Sequence, residues 1–221
     1  MIIRNNRGFT LVELLVAMAI SGIVITAIYT TYQSQQKSYT AQEEVAAMQQ
    51  KLRAALYYMT RQIREVGCNP TCIKTNPPGI VTASANLIEF TSDLRGSTFG
   101  SSPDGDMDDS YEHVTYSLYS SGGIQKLGVK STETAPYQPV AEYVDALNFV
   151  YLDASGSVTT TIPNIRSVEV TLVIRSERED TNYVDTVEYR NNQGDVILPA
   201  QNDHYRRRAA TMQIKCRNLG L

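Results

Sequence analysis

Histidine and the familiar catalytic motifs are what this sequence has least of. Its 221 residues include only two histidines, His113 and His204. Neither lies near a serine or cysteine in a recognisable nucleophile motif. The sequence also lacks a phosphate-binding loop, a dinucleotide fingerprint and a metalloprotease signature. The serine pairs at 101–102 and 120–121 have the composition of turns. We therefore expect a protein without enzymatic activity.

Basic stripes are also missing. The chain carries 20 Lys and Arg against 23 Asp and Glu, a formal net charge of −3. Broad affinity for nucleic acid requires clustered basic residues on one face. The single dense basic cluster, three arginines at 206–208, is expected to lie on a solvated turn or to pair with acidic residues of the loop at 104–112. We expect no nucleic-acid partner.

Cysteine is scarce, with Cys68, Cys72 and Cys216 as the only three. Oxidation is permitted if the domain that carries them lies outside the cytoplasm. A disulfide could close the short 68–72 loop, or either of these cysteines could reach Cys216, and the sequence leaves all three pairings open. The spacing is that of neither a redox C-x-x-C motif nor a zinc knuckle. We predict a structural disulfide ahead of free thiols or a metal site.

A long apolar segment runs from Phe9 to Tyr29 and contains no lysine or arginine. A helix needs about 20 such residues to cross a hydrocarbon core. Basic residues before the segment favour a cytoplasmic N-terminus by the positive-inside rule. The residues that follow, from Tyr29 to Gln33, are a poor secretory cleavage site, because they lack the A-x-A-like pattern. The segment is therefore predicted to be retained as a membrane helix.

One acidic residue, Glu13, lies inside this apolar segment. A charged side chain at the bilayer centre costs roughly 2.5–3.5 kcal/mol on insertion scales, so Glu13 requires a partner. The stretch Gly8-Phe9-Thr10-Leu11-Val12-Glu13 resembles the type III signal of type IV prepilins and of type II secretion pseudopilins. The resemblance implies that prepilin peptidase cleaves after Gly8 and that the new Phe9 amine is methylated. Glu13 is then expected to pair with the Phe9 amine of a neighbouring subunit during assembly.

The helical pattern continues beyond the apolar segment. Apolar residues recur at steps of three and four at Val45, Met48, Leu52, Leu56, Met59, Ile63 and Val66. No proline occurs before Pro70, and Gly67 stands where a C-terminal cap belongs. These features predict one helix from Thr10 to Val66. Its first half should meet lipid or other helices, and its amphipathic second half should pack on its own domain. A coiled coil is the alternative, but the sequence lacks clear charge pairs on either side of the apolar stripe.

After the helix, short strand patterns alternate with turn residues. Strands are predicted at 87–91, 113–119, 124–129, 146–152, 165–174, 183–189 and 209–215. No second long helical pattern appears that could connect parallel strands, so the sheet should be mainly antiparallel. The predicted fold class is α+β, with the helix packed on one face of the sheet. The chain would divide into a leader at 1–8, a transmembrane assembly helix at 9–29, its amphipathic continuation at 30–67 and a β-rich domain at 68–221.

The end of the helix, from Gln42 to Gly67, is similar to PilW-type minor pilins and, less closely, to GspJ pseudopilins. The resemblance implies the pilin fold and a subunit that primes or enters a type IV pilus. It also implies a single-pass inner-membrane protein with a periplasmic domain that later reaches the pilus. The implied partners are other minor and major pilins, prepilin peptidase and the inner-membrane assembly platform. A GspJ-like pseudopilin and a non-polymerising, membrane-anchored periplasmic binding module are the alternatives.

The acidic loop, residues 104–112, is the second candidate site. Carboxylates at alternate positions can converge on one hard cation, as in the loop of an EF-hand. By that logic Asp104, Asp106, Asp108, Ser110 and Glu112 are the predicted ligands of a calcium ion, the one cofactor that the sequence suggests. Asp109 and Thr115 depart from the EF-hand pattern at the glycine and the bidentate glutamate. The alternative is a solvated, mobile acidic loop.

Overall fold

The computed structural model describes residues 8–72, 75, 77–96, 98 and 100–220. Residues 1–7 of the predicted leader lie outside this range. The chain divides into two compact units, Met1–Glu43 and Glu44–Leu221. A single helix, α1 (Leu11–Glu65, 55 residues), supplies most of the first unit and enters the second. The predicted helix from Thr10 to Val66 is therefore confirmed to within one residue at each end.

The first unit presents an apolar helix surface without a partner. Every described residue from 8 to 40 is exposed. By length and composition the helix could cross a membrane: its most apolar 18-residue window has a mean hydropathy of 2.4, and none of that window is buried. The hydroxyls of Thr26 and Thr31 donate to the carbonyl oxygens of Gly22 and Ala27, both at 2.8 Å. These polar groups are thus satisfied within the helix, as an apolar surrounding requires.

One face of the second part of α1 belongs to the hydrophobic core of the second unit. The predicted apolar stripe is confirmed, because Met48, Leu52, Leu56, Met59, Ile63 and Val66 are all at most 4% exposed. The helix ends at Glu65, two residues before Gly67, whose φ of +74° suits glycine. The side-chain amide of Asn218 donates to the carbonyl oxygens of Glu65 and Val66 at 3.3 and 3.2 Å. The C-terminal segment therefore caps the helix.

Two antiparallel sheets share one hydrophobic core with this face of the helix. One has the order β1-β2-β3-β4-β5 and the other the order β10-β7-β6, while β8 and β9 form a small ribbon. The strands are β1 (Ile80–Ala83), β2 (Leu87–Thr91), β3 (His113–Ser121), β4 (Ile124–Lys130), β5 (Gln138–Glu142), β6 (Val144–Leu152), β7 (Ser167–Arg175), β8 (Tyr189–Arg190), β9 (Val196–Leu198) and β10 (Arg207–Lys215). All named strand pairs are antiparallel. The predicted α+β class and antiparallel sheet are confirmed.

Strand β7 is buried on both faces, although its alternating pattern resembles a half-exposed strand. One face contributes Val168, Val170 and Leu172 to the core. On the opposite face, Oε2 of Glu169 accepts a hydrogen bond from the Asn192 amide at 2.9 Å. Residues between β7 and β10 therefore cover the second face of this sheet.

The strand predicted at 183–189 is wrong apart from its last residue. Asp185 is fully buried, and its carboxylate accepts hydrogen bonds from the Val187 N–H at 3.2 Å and the Tyr189 hydroxyl at 3.1 Å. A side chain that binds local backbone groups competes with a strand ladder. The sequence analysis also missed β1, β5 and β9. Pro139 within β5 is compatible with its place at the edge of the sheet.

Candidate functional sites: the helix N-terminus and the acidic loop

The N-terminus of α1 is closed by a reciprocal hydrogen-bond pair between Thr10 and Glu13. Oε2 of Glu13 accepts from the backbone N–H of Thr10 at 2.8 Å and from its hydroxyl at 2.9 Å. The Thr10 hydroxyl oxygen in turn accepts from the Glu13 N–H at 3.3 Å. This is a capping box, which satisfies N–H groups that the first helical turn leaves without partners. The sequence analysis missed the role of Thr10, although the T-x-x-E spacing is its usual signature.

Glu13 is also the only charged residue between Phe9 and Gln36. Phe9 directly precedes the cap and is 92% exposed. Among the described residues, the hydrogen bonds to the Glu13 carboxylate all use Oε2. Its other oxygen, Oε1, can therefore accept a donor from another molecule without opening the capping box. Gly8, Phe9 and Glu13, the three residues predicted for processing and assembly, thus lie together at one end of the helix.

The acidic loop brings together a ligand set that differs from the predicted one. One carboxylate oxygen from each of Asp104, Asp106 and Asp109 lies within 4.8 Å of the other two. Asp108 is outside this group, and its backbone N–H donates to Oδ1 of Asp106 at 3.4 Å. The carboxylates that converge are thus those of Asp104, Asp106 and Asp109, and a calcium-binding role for Asp108 stays a prediction.

Glu112, predicted as a loop ligand, is fully buried. Its Oε1 accepts hydrogen bonds from the backbone N–H groups of Leu94 and Arg95 at 2.6 and 2.8 Å. Burial raises the pKa of Glu112, and the nearby charges of Asp109 and Asp93 raise it further. Ser110, the remaining predicted ligand, is exposed and lines a shallow concavity with residues 94–96, 98, 100 and 101. The structure therefore places neither Glu112 nor Ser110 in the group of three aspartates.

Asp93, two residues after the end of β2, also lies in this neighbourhood, and the sequence analysis did not identify it. It is fully buried, and Oδ2 accepts a hydrogen bond from the Thr71 hydroxyl. One buried oxygen from each of Asp93, Asp109 and Glu112 has no hydrogen-bond partner among the described residues. No local motif links Asp93 to the acidic loop, because the two are separated by a long connection and meet only through folding.

The arginines at 206–208 form neither a solvated turn nor a pair with the acidic loop, so both predictions for them are wrong. The Arg207 side chain is 3% exposed and contacts three carboxylates. Its guanidinium group donates to Asp145 at 2.6 Å, to Asp185 at 3.0 Å and to Asp203 at 2.6 and 2.7 Å. Burial alone would lower the pKa of Arg207, but these hydrogen bonds raise it above its ordinary value. The cluster attaches the segment between β7 and β10 to the sheet.

The three cysteines are unbonded in the structure, which differs from the predicted disulfide. Cys216 is 2% exposed, and burial raises the pKa of its thiol to about 12. Cys68 is half-buried, whereas Cys72 is exposed, with a φ of +59°. Both border one concavity beside Asn218 and Leu219. A pairing of Cys68 with Cys72 stays a prediction, and the burial of Cys216 argues against its use.

Comparison with known proteins supports the N-terminal and domain assignments separately. Residues 3–29 match the prokaryotic N-terminal methylation motif, and residues 113–218 match the family described as type IV pilus-assembly protein W. The structure is similar to that of a type IV-like pilin from Thermus thermophilus, with a TM-score of 0.52 and 13% sequence identity. That alignment covers 79% of this chain and 100% of the other, and it shows the shared fold. No curated protein sequence matches the chain significantly.

The two sequence matches together cover more than half of the chain, and the fold agrees with them. Neither match favours the GspJ-like alternative. The family is one of structural subunits, and the motif together with the apolar helix fits a single membrane anchor. The two sequence matches and the shared fold together support a PilW-type minor pilin with a role in pilus assembly.

Proposed function

We propose that this minor pilin is held in the inner membrane by α1, with its N-terminus in the cytoplasm and its β-domain in the periplasm. Prepilin peptidase would cleave after Gly8 and methylate the Phe9 amine. The mature subunit would then join other minor and major pilins on the assembly platform, and prime or enter the filament. The match to the N-terminal methylation motif supports the processing step. The basic residues before the apolar segment support the orientation.

The observation that carries the assembly role is the position of Glu13 in the capping box. The carboxylate is held at the first helical turn by Thr10, at 2.8 and 2.9 Å. A neighbouring Phe9 amine could approach Oε1 while Oε2 remains in the box. In an apolar surrounding the Glu13 carboxylate and the neighbouring Phe9 amine would neutralise each other. This ion pair would fix the axial position of one subunit relative to the next. Loss of one partner would leave a buried charge alone, which costs more than the intact pair contributes.

Replacement of Glu13 by alanine tests this role against the binding-module alternative. The Glu13→Ala subunit should insert into the membrane and accumulate normally, because an apolar helix inserts more easily without a charge. It should be absent from sheared pili, or should prevent their formation. Cell fractionation and immunoblotting of the pilus fraction measure both properties. A non-polymerising anchor would tolerate the change, so normal incorporation of the variant would contradict the proposal.

A further inference from the structure

The region that contains the acidic loop has a marked excess of negative charge. Between residues 93 and 112 the sequence holds six carboxylates and one basic residue, Arg95. The guanidinium of Arg95 lies over the ring of Tyr111, at 6.0 Å from its centroid. Within the described part of the chain, no ion pair shorter than 4 Å joins Asp93, Asp109 or Glu112 to a lysine or an arginine. Arg95 is close enough to act on Asp109 and lowers the pKa of its carboxyl, but burial and the charges of Asp104 and Asp106 raise that pKa more strongly.

Three of these carboxylates have the spacing that a single calcium ion requires. Calcium binds oxygen at 2.3–2.6 Å, so two of its ligands can be up to about 5 Å apart. Oxygens of Asp104, Asp106 and Asp109 all lie within 4.8 Å of one another. The group contains neither histidine nor cysteine, and oxygen-only ligands favour a hard cation over zinc.

A second, independent observation comes from the buried oxygens beside this group. Oε2 of Glu112 and Oδ2 of Asp109 have almost no solvent contact and no hydrogen-bond partner among the described residues. Glu112 as a whole is 0% exposed. More than nine in ten buried polar groups in native proteins are paired, since an unpaired one carries its full desolvation cost. A carboxylate can accept but not donate when ionised, so the partner it lacks is a donor or a cation.

The backbone geometry places the buried Glu112 carboxylate beside the aspartate group. Its Oε1 binds the N–H groups of residues 94 and 95, and the next residue, Gly96, packs against Asp104. A Cβ placed on Gly96 would lie 3.2 Å from Oδ2 of Asp104. The backbone N–H of Glu112 also donates to the carbonyl oxygen of Asp109 at 3.1 Å. Glu112 and Asp104 thus both approach the segment at 94–96, and the charge of Asp109 is close enough to Glu112 to raise the pKa of its carboxyl.

We propose that Asp104, Asp106 and Asp109 bind one calcium ion, whose charge also compensates the buried carboxylate of Glu112. The remaining ligands would be backbone carbonyl oxygens and water, which calcium accepts readily. The ion would tie the acidic loop to the segment at 94–96 and fix this surface of the β-domain. This set replaces Asp108 of the sequence prediction with Asp109. The site is independent of leader cleavage and of filament assembly.

The test is thermal unfolding of the full-length protein in detergent, first treated with a chelator and then titrated with calcium. Extracellular calcium sites have dissociation constants of about 10⁻⁴–10⁻³ M. A free calcium concentration about ten times the dissociation constant should raise the unfolding midpoint by about 3–6 °C. Magnesium should have a smaller effect, because it dehydrates reluctantly. A wild-type midpoint that does not respond to calcium would overturn the proposal.

A matched pair of variants separates the site from general charge. Asp106→Asn and Asp108→Asn each remove one negative charge from exposed positions of the same loop. Asp106→Asn should abolish the calcium response, whereas Asp108→Asn should retain most of it. Equal loss in both variants would show only non-specific screening and would overturn the ligand assignment. As a second check, Glu112→Gln keeps an acceptor for the backbone N–H groups and should raise the midpoint of the calcium-free protein. A lower midpoint in that variant would contradict the compensating role of the ion.

Discussion

Replacement of Arg207 by methionine should destabilise the β-domain by about 3 kcal/mol, the lower end of the 3–5 kcal/mol found when one partner of a buried ion pair is removed. The structure explains why the lower end applies. Asp203 is 33% exposed in its side chain and can be hydrated, and Asp145 keeps a second partner in Arg175 at 3.1 Å. Only Asp185, at 0% exposure, loses its sole cationic partner among the described residues.

Thermal unfolding of the full-length protein in detergent, followed by near-ultraviolet circular dichroism, measures this loss. For a chain of this size about 3 kcal/mol corresponds to a midpoint lower by roughly 6–12 °C. Arg190→Met is the matched control, because Arg190 pairs with Glu188 while both side chains are about half exposed, at 53% and 50%. An exposed pair contributes about 0–1 kcal/mol. If both variants unfolded within 2 °C of the wild type, or if they lost stability equally, the buried cluster would not have the stabilising role assigned to it.

Three further results are expected. Hydrogen bonds from Arg207 and Arg206 lower the pKa values of Asp203 and Asp180. The two ion pairs should therefore stabilise the fold fully above about pH 4. This stabilisation should disappear as the pH falls through the lowered pKa values of Asp203 and Asp180, and unfolding curves recorded against pH measure the loss. Burial should protect the Cys216 thiol. After reduction of any Cys68–Cys72 disulfide, iodoacetamide should therefore label Cys72 in the folded protein and reach Cys216 only after denaturation, as peptide mass spectrometry would show. The intact mass of the protein from pili should correspond to a chain that begins at a methylated Phe9, and a chain that starts elsewhere would contradict the processing step.

Much of the fold could be predicted because its main signals are local. The stripe from Met48 to Val66 repeats at helical spacing over several turns, and the structure buries it as expected. Strand β2 begins and ends as predicted, because turn residues flank its apolar run. Strand β5 carried no such signal, since a proline and two exposed residues dilute its short pattern.

Two of the errors at the sites come from pairing between residues that are distant in the sequence. Arg207 belongs to a polar run that indicates a solvated turn, yet folding surrounds it with carboxylates from three separate segments. Asp93 likewise lies close enough to Glu112 for its charge to raise the pKa of that carboxyl. In the loop itself, Asp109 rather than Asp108 joins the group of converging carboxylates. By contrast, the capping box at Thr10 was a local signal that could have been found.

The central claim is that assembly depends on the charge of Glu13 and not on its role as a helix cap. Glu13→Gln removes the charge but keeps an oxygen that can accept from Thr10. Thr10→Ala removes both hydroxyl hydrogen bonds of the capping box and keeps the charge. The direct measurement is the amount of each variant subunit in sheared pili, relative to its amount in the membrane. The charge-free Glu13→Gln subunit should be lost from the pili, while Thr10→Ala should be incorporated at close to the normal level. Normal incorporation of Glu13→Gln, or equal loss of both variants, would contradict the claim.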